Sequence, residues 1–487
     1  MKDIISIKDF SRVELDSLIQ GALDIKQGKK QVSLEGKSLA SLFFENSTRT
    51  RTSTETAARN VGMVIDGFTG TEGTSVKKGE PLADTVRMFS GYGYDMVALR
   101  HSLEGSARFV SELINKPVIN CGDGANIHPT QTLLDLVTIK EKYGAIDGLK
   151  IALCGDLKYG RTVHSLLQGL QHYDVEVTLV SPENLAMPDW RVKDYERFTG
   201  RKVIITEDLQ GTLNRVDFFY MTRIQRERFP EGLEGDLEFQ KVSGVNRITA
   251  HMLKHGKPTL SIGHPLPRYK NSLEIAMDVD NTKHALYIVM AENGVPAKIE
   301  MFDYLSRWDK QLSLQKEVEN MLWNDLPIPN GNKKGDHLIY RLDNGILIDH
   351  IEHGKGLQVY DILGLKEHTD LTIVPALGIR STQYGRKDVI AIHDFNFSPE
   401  QLYKVALVSK EATINQINND SVVKKGKVIL PKMLEGMISC NNHNCVSNPT
   451  HYEHVVSKFR VESQDPLSVR CHYCDTPHNR NEIKLQL

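Results

Sequence analysis

From about residue 37 to residue 300 the chain alternates short apolar runs with segments of helical periodicity, and this alternation restricts its fold more than any other feature. Leu39–Phe44, Met96–Leu99, Ile151–Cys154, Val175–Val180, Val203–Ile205 and Phe218–Met221 read as buried strands, being short and in several cases ended by Gly, Asp or Ser. Between them lie helical stretches. In Thr130–Tyr143, the residues Leu133, Leu134, Val137, Lys140 and Tyr143 recur at helical spacing. Strands buried on both faces and separated by helices predict an α/β fold with parallel sheets. The length suggests two such lobes, with a boundary near residues 130–150.

Phe302–Trp323 reads as a helix, and Leu326 to Gly335, with two prolines and two glycines, as a linker. Beyond it the texture changes. His337–Leu342, Gly345–Ile351, Leu371–Pro375 and Val389–His393 look like strands and Pro399–Ser409 like a helix, which predicts a smaller α+β domain before a cysteine-rich tail. The 487 residues carry 60 basic and 62 acidic side chains, so no polybasic field invites nucleic acid or an anionic membrane. No apolar run reaches the roughly 18–20 residues of a membrane span. Charged residues break up the opening stretch, which lacks the apolar core of a signal peptide. A cytoplasmic location is expected.

The strongest local signal is Phe43-Phe-Glu-Asn-Ser-Thr-Arg-Thr-Arg51. An apolar strand runs into Ser47 and Thr48, and a helical segment (Thr54 to Asn60) follows. Such a turn aims unpaired backbone N–H groups and the positive end of a helix dipole at one point. The hydroxyls of Ser47, Thr48 and Thr50 and the Arg49 guanidinium make that point an anion cradle. An N-cap with exposed arginines is the alternative. Arg100-His101, Asp156–Arg161, Thr222–Gln225 and His264-Pro-Leu-Pro267 also follow apolar runs, where ligands of parallel sheets gather. His128-Pro-Thr-Gln131 opens a helix. Four arginines, a histidine and a glutamine at such positions suit a small polyanion.

Four of the six cysteines fall in the last fifty residues, as Cys440-x4-Cys445 and Cys471-x2-Cys474. Two close pairs suit a structural four-thiolate zinc site, one ion per chain. Two disulfides, or a mixed site using His443, His472 or His478, are the alternatives.

Ser47-Thr-Arg-Thr-Arg51, Lys78-Gly-Glu80, Arg100-His101, His128-Pro-Thr-Gln131, Asp156 to His164, Met221-Thr-Arg-Ile-Gln225 and His264-Pro-Leu-Pro-Arg268 resemble, in order, the motif set of the aspartate carbamoyltransferase catalytic chains. Residues 337–487 are similar to that family's regulatory chain through Gly345 to His350, Gly385 to Asp388, Ala412 to Asn415, Leu430-Pro431 and the four cysteines. The resemblance implies a carbamoyl-phosphate lobe (1–135), an aspartate lobe (136–310), a linker (311–336), an α+β regulatory domain (337–430) and a zinc-binding β subdomain (431–487). It also implies transfer of a carbamoyl group to L-aspartate in pyrimidine biosynthesis, by a homo-oligomer built on catalytic trimers.

The residue assignments follow from the same resemblance. Phosphate falls to Ser47, Thr48, Arg49, Thr50 and Arg100. The substrate carbonyl falls to Thr50, Arg100 and His128, and the carbamoyl NH₂ to Gln131 with Pro265, Leu266 and the adjoining Pro267. Aspartate falls to Arg161, Arg223, Gln225 and Lys78. Ser75 and Lys78 resemble loop residues that reach into a neighbouring subunit's site. Ornithine carbamoyltransferases share the cradle, but His128-Pro-Thr-Gln and His264-Pro-Leu-Pro differ from theirs. In the regulatory part, Asp349, His350 and Lys425 fall near a nucleoside triphosphate effector. A lysine of that pocket is replaced by Ala391, and an aromatic by Asp420.

Overall fold

The computed structural model describes residues 3–224, 247–268, 274–307, 323–327 and 342–486. The chain divides into two compact units, one of Met1–Leu312 with Asn444–Val446 and one of Ser313–His443 with Ser447–Leu487.

The first unit holds two parallel sheets. One is built from β1 (Ser38–Phe43), β2 (Val64–Thr69), β3 (Met96–His101) and β4 (Val118–Asp123), in the order β2-β1-β3-β4. The other is built from β5 (Lys150–Cys154), β6 (Glu176–Val180), β7 (Ile204–Thr206), β8 (Phe218–Met221) and β9 (Ser261–Gly263), in the order β7-β6-β5-β8-β9. All six expected strands are present, and β2, β4 and β9 join them. The reason for each omission is physical. β2 is an exposed edge strand with no apolar run. β4 is fully buried but contains Asn120 and Gly122, whose polar letters read as loop. The Asn120 amide donates to Ile5 O and to Asp123 Oδ1, so it is a satisfied core residue. β9 is only three residues long.

The helix Pro129–Tyr143 joins the lobes and is buried along most of its length. Together with Arg12–Lys26 and Gly294–Ser306 it supplies a continuous core, in which Leu15, Ile19, Leu133, Val137, Met301 and Phe302 are nearly inaccessible. The expected helix Phe302–Trp323 is corrected at both ends. The helix is Gly294–Ser306, whereas Trp323 opens a strand; residues 308–322 lie outside the described residues.

The second unit contains β10 (Trp323–Asp325), β11 (Gly345–Glu352), β12 (Ile373–Ser381), β13 (Gly385–His393), β14 (Thr413–Asn418) and β15 (Ser421–Val428). They form one antiparallel sheet in the order β10-β15-β14-β11-β13-β12. Residues 323–325, expected in a linker, therefore belong to a sheet. The rest of that expected linker, 328–335, and the expected strand over 337–341 fall outside the described residues. The helices Gly356–Ile362 and Pro399–Val408 place Val359, Leu402 and Val405 against Ile348, Ile390 and Ile392. After residue 430 come β16 (Met433–Glu435), β17 (Ile438–Ser439), β18 (Lys458–Gln464), β19 (Leu467–Cys471), β20 (Pro477–Asn479) and β21 (Lys484–Leu485), in a four-stranded sheet and a two-stranded one. The two α/β lobes, the α+β region and the small β region are the architecture expected from sequence. Among the described residues no helix is long and apolar enough to cross a membrane.

Candidate active site

The carboxyl ends of β1, β3, β5, β8 and β9 open on one cavity of about 610 Å³ within the first unit. Ser47, Thr48, Arg49, Thr50, Arg100, His128, Gln131, Arg161, Arg223, Pro265, Leu266 and Pro267 all line it. Ser75 and Lys78 do not. They sit on an exposed 3₁₀ turn, Ser75–Lys78, within their own chain. Gln225 lies outside the described residues.

The cradle forms because β1 passes directly into the helix Arg49–Asn60, Phe44 N still donating to Arg100 O at 2.9 Å. Thr48 occupies the N-cap with no side chain capping the first turn, and Thr48, Arg49 and Thr50 of that turn line the cavity. The helix starts at Arg49, earlier than the Thr54 expected from sequence. Arg51, the second arginine of the motif, is held by Glu55 at 2.7 Å and does not line the cavity.

Positive charge dominates the walls. Burial, then the proximity of Arg223 and Arg100, lowers the Arg49 pKa, the signature of cations gathered without enough anions. Glu45 Oε2 lies 3.5 Å from Arg100 Nε and 3.6 Å from Arg161 Nη1, which also donates to Gly124 O at 2.9 Å. Gly122 allows this crowding. Its φ is +112°, and a Cβ there would meet Arg161 Cζ at 3.1 Å and His128 Cδ2 at 3.2 Å.

His128 is buried, and desolvation followed by Arg161, Arg100 and Lys298 pushes its pKa well below 6.5. The ring is therefore neutral and has one N–H to donate. Thr130 Oγ1 is 3.2 Å from Nδ1 and Thr50 Oγ1 is 3.4 Å from Nε2. Gln131 Nε2 donates to buried Asp135 Oδ1 at 2.9 Å, which orients the amide. Leu266 is left-handed (φ 52°), its N–H donates to His264 Nδ1 at 2.8 Å, and the Leu266–Pro267 peptide is cis. Accepting that bond requires a neutral imidazole, and burial with Arg268, Arg223 and Arg49 nearby holds His264 down to about 3. Glu45, Asp135 and Lys298 were not singled out from sequence. The available signal was polar letters within apolar stretches, as in Val295 to Phe302.

Four family models cover the chain. Residues 2–141 match the aspartate/ornithine carbamoyltransferase carbamoyl-P binding domain, and 147–305 the Asp/Orn binding domain. Residues 337–429 match the allosteric domain of the aspartate carbamoyltransferase regulatory chain, and 432–484 its metal binding domain. The aspartate carbamoyltransferase catalytic subunit of Thermococcus kodakarensis is 48% identical over 304 residues, 62% of this chain and 95% of that one. The chain belongs to the aspartate carbamoyltransferase family. The Chromobacterium violaceum catalytic subunit is 49% identical over 297 residues, 61% of this chain and 95% of its own. Among solved structures, the aspartate transcarbamoylase of Trypanosoma cruzi in complex with carbamoyl phosphate and aspartate is 33% identical, with TM-score 0.57, covering 62% of this chain and 95% of that one. The catalytic subunit of M. Jannaschii aspartate transcarbamoylase is 42% identical, with TM-score 0.57, covering 63% of this chain and 98% of that one. In this member of the aspartate carbamoyltransferase family, catalytic and regulatory regions share one polypeptide.

Two further clusters lie beyond residue 342. Cys440, Cys445, Cys471 and Cys474 are buried, and their sulfurs lie within 4.8 Å of one another without an S–S bond. Tetrahedral thiolates at about 2.3 Å from zinc stand about 3.8 Å apart; Cys440 Sγ and Cys474 Sγ are 3.6 Å apart. The donor set fits a metal. No histidine joins the cluster among the described residues, and His478 instead accepts from Asn441 N at 2.9 Å.

Asp349, His350 and Lys425 form the other cluster. Asp349 pairs with Lys387 at 2.6 Å, and His350, at φ 58°, lies 3.1 Å from Thr413 Oγ1. Burial lowers the His350 pKa; Asp349 opposes this, and Lys387, Lys425 and Lys427 add to it. Ala391 is buried in β13. Asp420 sits in the β14–β15 turn with its N–H on Asp343 O. That is the opposite end of β11 from Asp349, so its carboxylate is not beside this cluster.

Proposed function

We propose that this cavity transfers the carbamoyl group of carbamoyl phosphate to the amine of L-aspartate, giving N-carbamoyl-L-aspartate and phosphate for pyrimidine biosynthesis. The observation that carries the reading is the convergence of the Ser47–Thr50 cradle, Arg100, His128, Gln131, Arg161 and Arg223 on one cavity. Ser47, Thr48, Arg49, Thr50 and Arg100 hold the phosphate. Thr50, Arg100 and the neutral His128 ring donate to the carbonyl oxygen, where negative charge grows as the amine attacks. With Gln131 Nε2 held by Asp135, its carbonyl oxygen receives the carbamoyl NH₂, alongside the Pro265–Pro267 backbone. Arg161 and Arg223, with Gln225 and a neighbouring chain's Lys78 and Ser75, take the two aspartate carboxylates. The tetrahedral intermediate collapses with cleavage of the carbon–oxygen bond to phosphate, and a phosphate oxygen receives the amine proton. Positioning and fixed positive charge supply the rate enhancement. Colorimetric detection of carbamoyl-aspartate tests the reading; comparable turnover of ornithine would overturn the choice of acceptor.

The exposed Ser75–Lys78 turn supports a site completed across a catalytic trimer, in an enzyme of the cytoplasm. Lys78→Ala and Arg49→Ala proteins, each nearly inactive, are expected to regain activity when dissociated and reassembled together, because a mixed trimer contains an interface with both residues intact. No recovery in verified mixed trimers would make each site self-contained.

Residues 337–429 are the allosteric domain by family, yet the expected response to nucleotides is weak. Asp349 is already paired to Lys387, and Ala391 cannot donate to a base or ribose. A lost charged hydrogen bond costs roughly 1.5–3 kcal/mol, about 10- to 150-fold in affinity. Calorimetric titration with CTP, UTP and ATP checks this, and tight CTP binding with a large shift of the aspartate saturation curve would contradict it.

A further inference from the structure

The helix Gly294–Ser306 brings Lys298 to the cavity wall, although the side chain is only 3% exposed. Its ammonium makes one hydrogen bond, to Gly294 O of its own helix at 3.3 Å. Among the described residues no carboxylate pairs with it. The acidic residues on its own helix, Glu300 and Asp303, are both engaged by Lys30. The groups facing it from other elements are Cys121 of β4 and His128 at the start of the next helix, and Arg100 of β3 adds charge to the same surroundings. None is an anion. A buried ammonium without a counter-ion is costly unless something supplies one, and the open side of this one is the cavity.

We propose that Lys298 is a further anion-binding residue of this site, with no carboxylate paired to it among the described residues, and that carbamoyl phosphate supplies its anion. The proposal rests on the reading of the cavity as the carbamoyl phosphate site. Without ligand, burial pushes Lys298 down to about 8. A dianion favours the protonated form, so proton and substrate bind together. Affinity is full below about pH 8 and falls as pH rises through that value, until the higher value of the complex is reached. Other groups around the cavity do not mimic this. His128 and His264 are neutral above pH 7, Cys121 is pushed up to about 11, Tyr287 is raised, and the arginines stay charged.

The test is KM for carbamoyl phosphate at saturating aspartate between pH 7 and 9.5, in the wild type, Lys298→Arg and Lys298→Met. In the wild type KM should climb above pH 8 with a slope approaching tenfold per pH unit. Lys298→Arg should bind comparably at pH 7 without that climb. Lys298→Met should bind at least about tenfold more weakly at pH 7, also without it. A flat wild-type profile, or the same climb in Lys298→Arg, overturns the proposal. Should the variants fail to fold, wild-type calorimetry at pH 8.5 in buffers of different ionisation enthalpy still decides. Net proton uptake with carbamoyl phosphate supports the proposal, and none refutes it. Formation of carbamoyl-aspartate by the same wild-type preparation tests the underlying reading separately.

Discussion

Arg49→Ala is expected to lower turnover about 30- to 1000-fold while the protein stays folded. Arg49 is the first residue of its helix and exposed at the mouth of the cavity, with no carboxylate partner of its own among the ion pairs of the described residues. Its truncation removes no core contact. Arg100 and Arg161 share Glu45, and Arg51 has Glu55, so their charges are partly balanced in the free enzyme. Arg49 is instead surrounded by other arginines, and its full charge is available to the leaving phosphate. A charge-assisted contact that strengthens as the carbon–oxygen bond breaks is worth roughly 2–4 kcal/mol, which sets the range given. Steady-state kinetics of a variant with wild-type circular dichroism checks this. Activity within a few-fold of wild type would remove Arg49 from the reacting end of the site.

Metal removal should act on a different part of the molecule. Purified protein is expected to carry about one zinc per chain on Cys440, Cys445, Cys471 and Cys474, and stripping it should unfold residues 432–484. This region has a small core, with Leu434, Met437, Ile438, Val446, Phe459, Leu467, Val469 and Tyr473 its buried apolar side chains besides the cysteines. So few residues seldom fold alone. A structural zinc contributes apparent binding free energies of about 10–16 kcal/mol in small domains, enough to decide between folded and unfolded. Hydrogen exchange after chelation should therefore show lost protection across β16 to β20. The carbamoyl-transfer activity should persist, because every residue lining its cavity lies between Asn46 and Lys298. Metal analysis finding no zinc in protein prepared without chelator would refute the assignment, and unchanged protection after stripping would refute the structural role.

How much of this was legible beforehand depends on where each signal is stored. Strands β1, β3, β5, β6, β7 and β8 could be read from apolar runs, because a central parallel strand must shed polar residues on both faces. β2 and β4 could not. An edge strand keeps one side in solvent, and β4 satisfies Asn120 and Asp123 through partners distant in sequence, such as Ile5 and Gly105. Trp323–Asp325 looked like linker because three residues gain strand character only from β15 opposite. The cysteine spacing suited a metal site, since pairs close in sequence restrict where four sulfurs can lie, and the fold brought the four together without a disulfide.

The cavity divides in the same way. That Ser47–Thr50, Arg100, His128, Arg161 and Arg223 stand at strand ends or helix starts is a local property, written in the order of residues. Their meeting in one place is not local, because it needs two sheets to present their carboxyl edges to each other. Tertiary structure alone paired Arg51 with Glu55 and set Asp135 behind Gln131. It also left Lys298 buried with no carboxylate paired to it among the described residues. Charge in a sequence is only a letter, and its effect is decided by the water removed from it and by the partners the fold supplies.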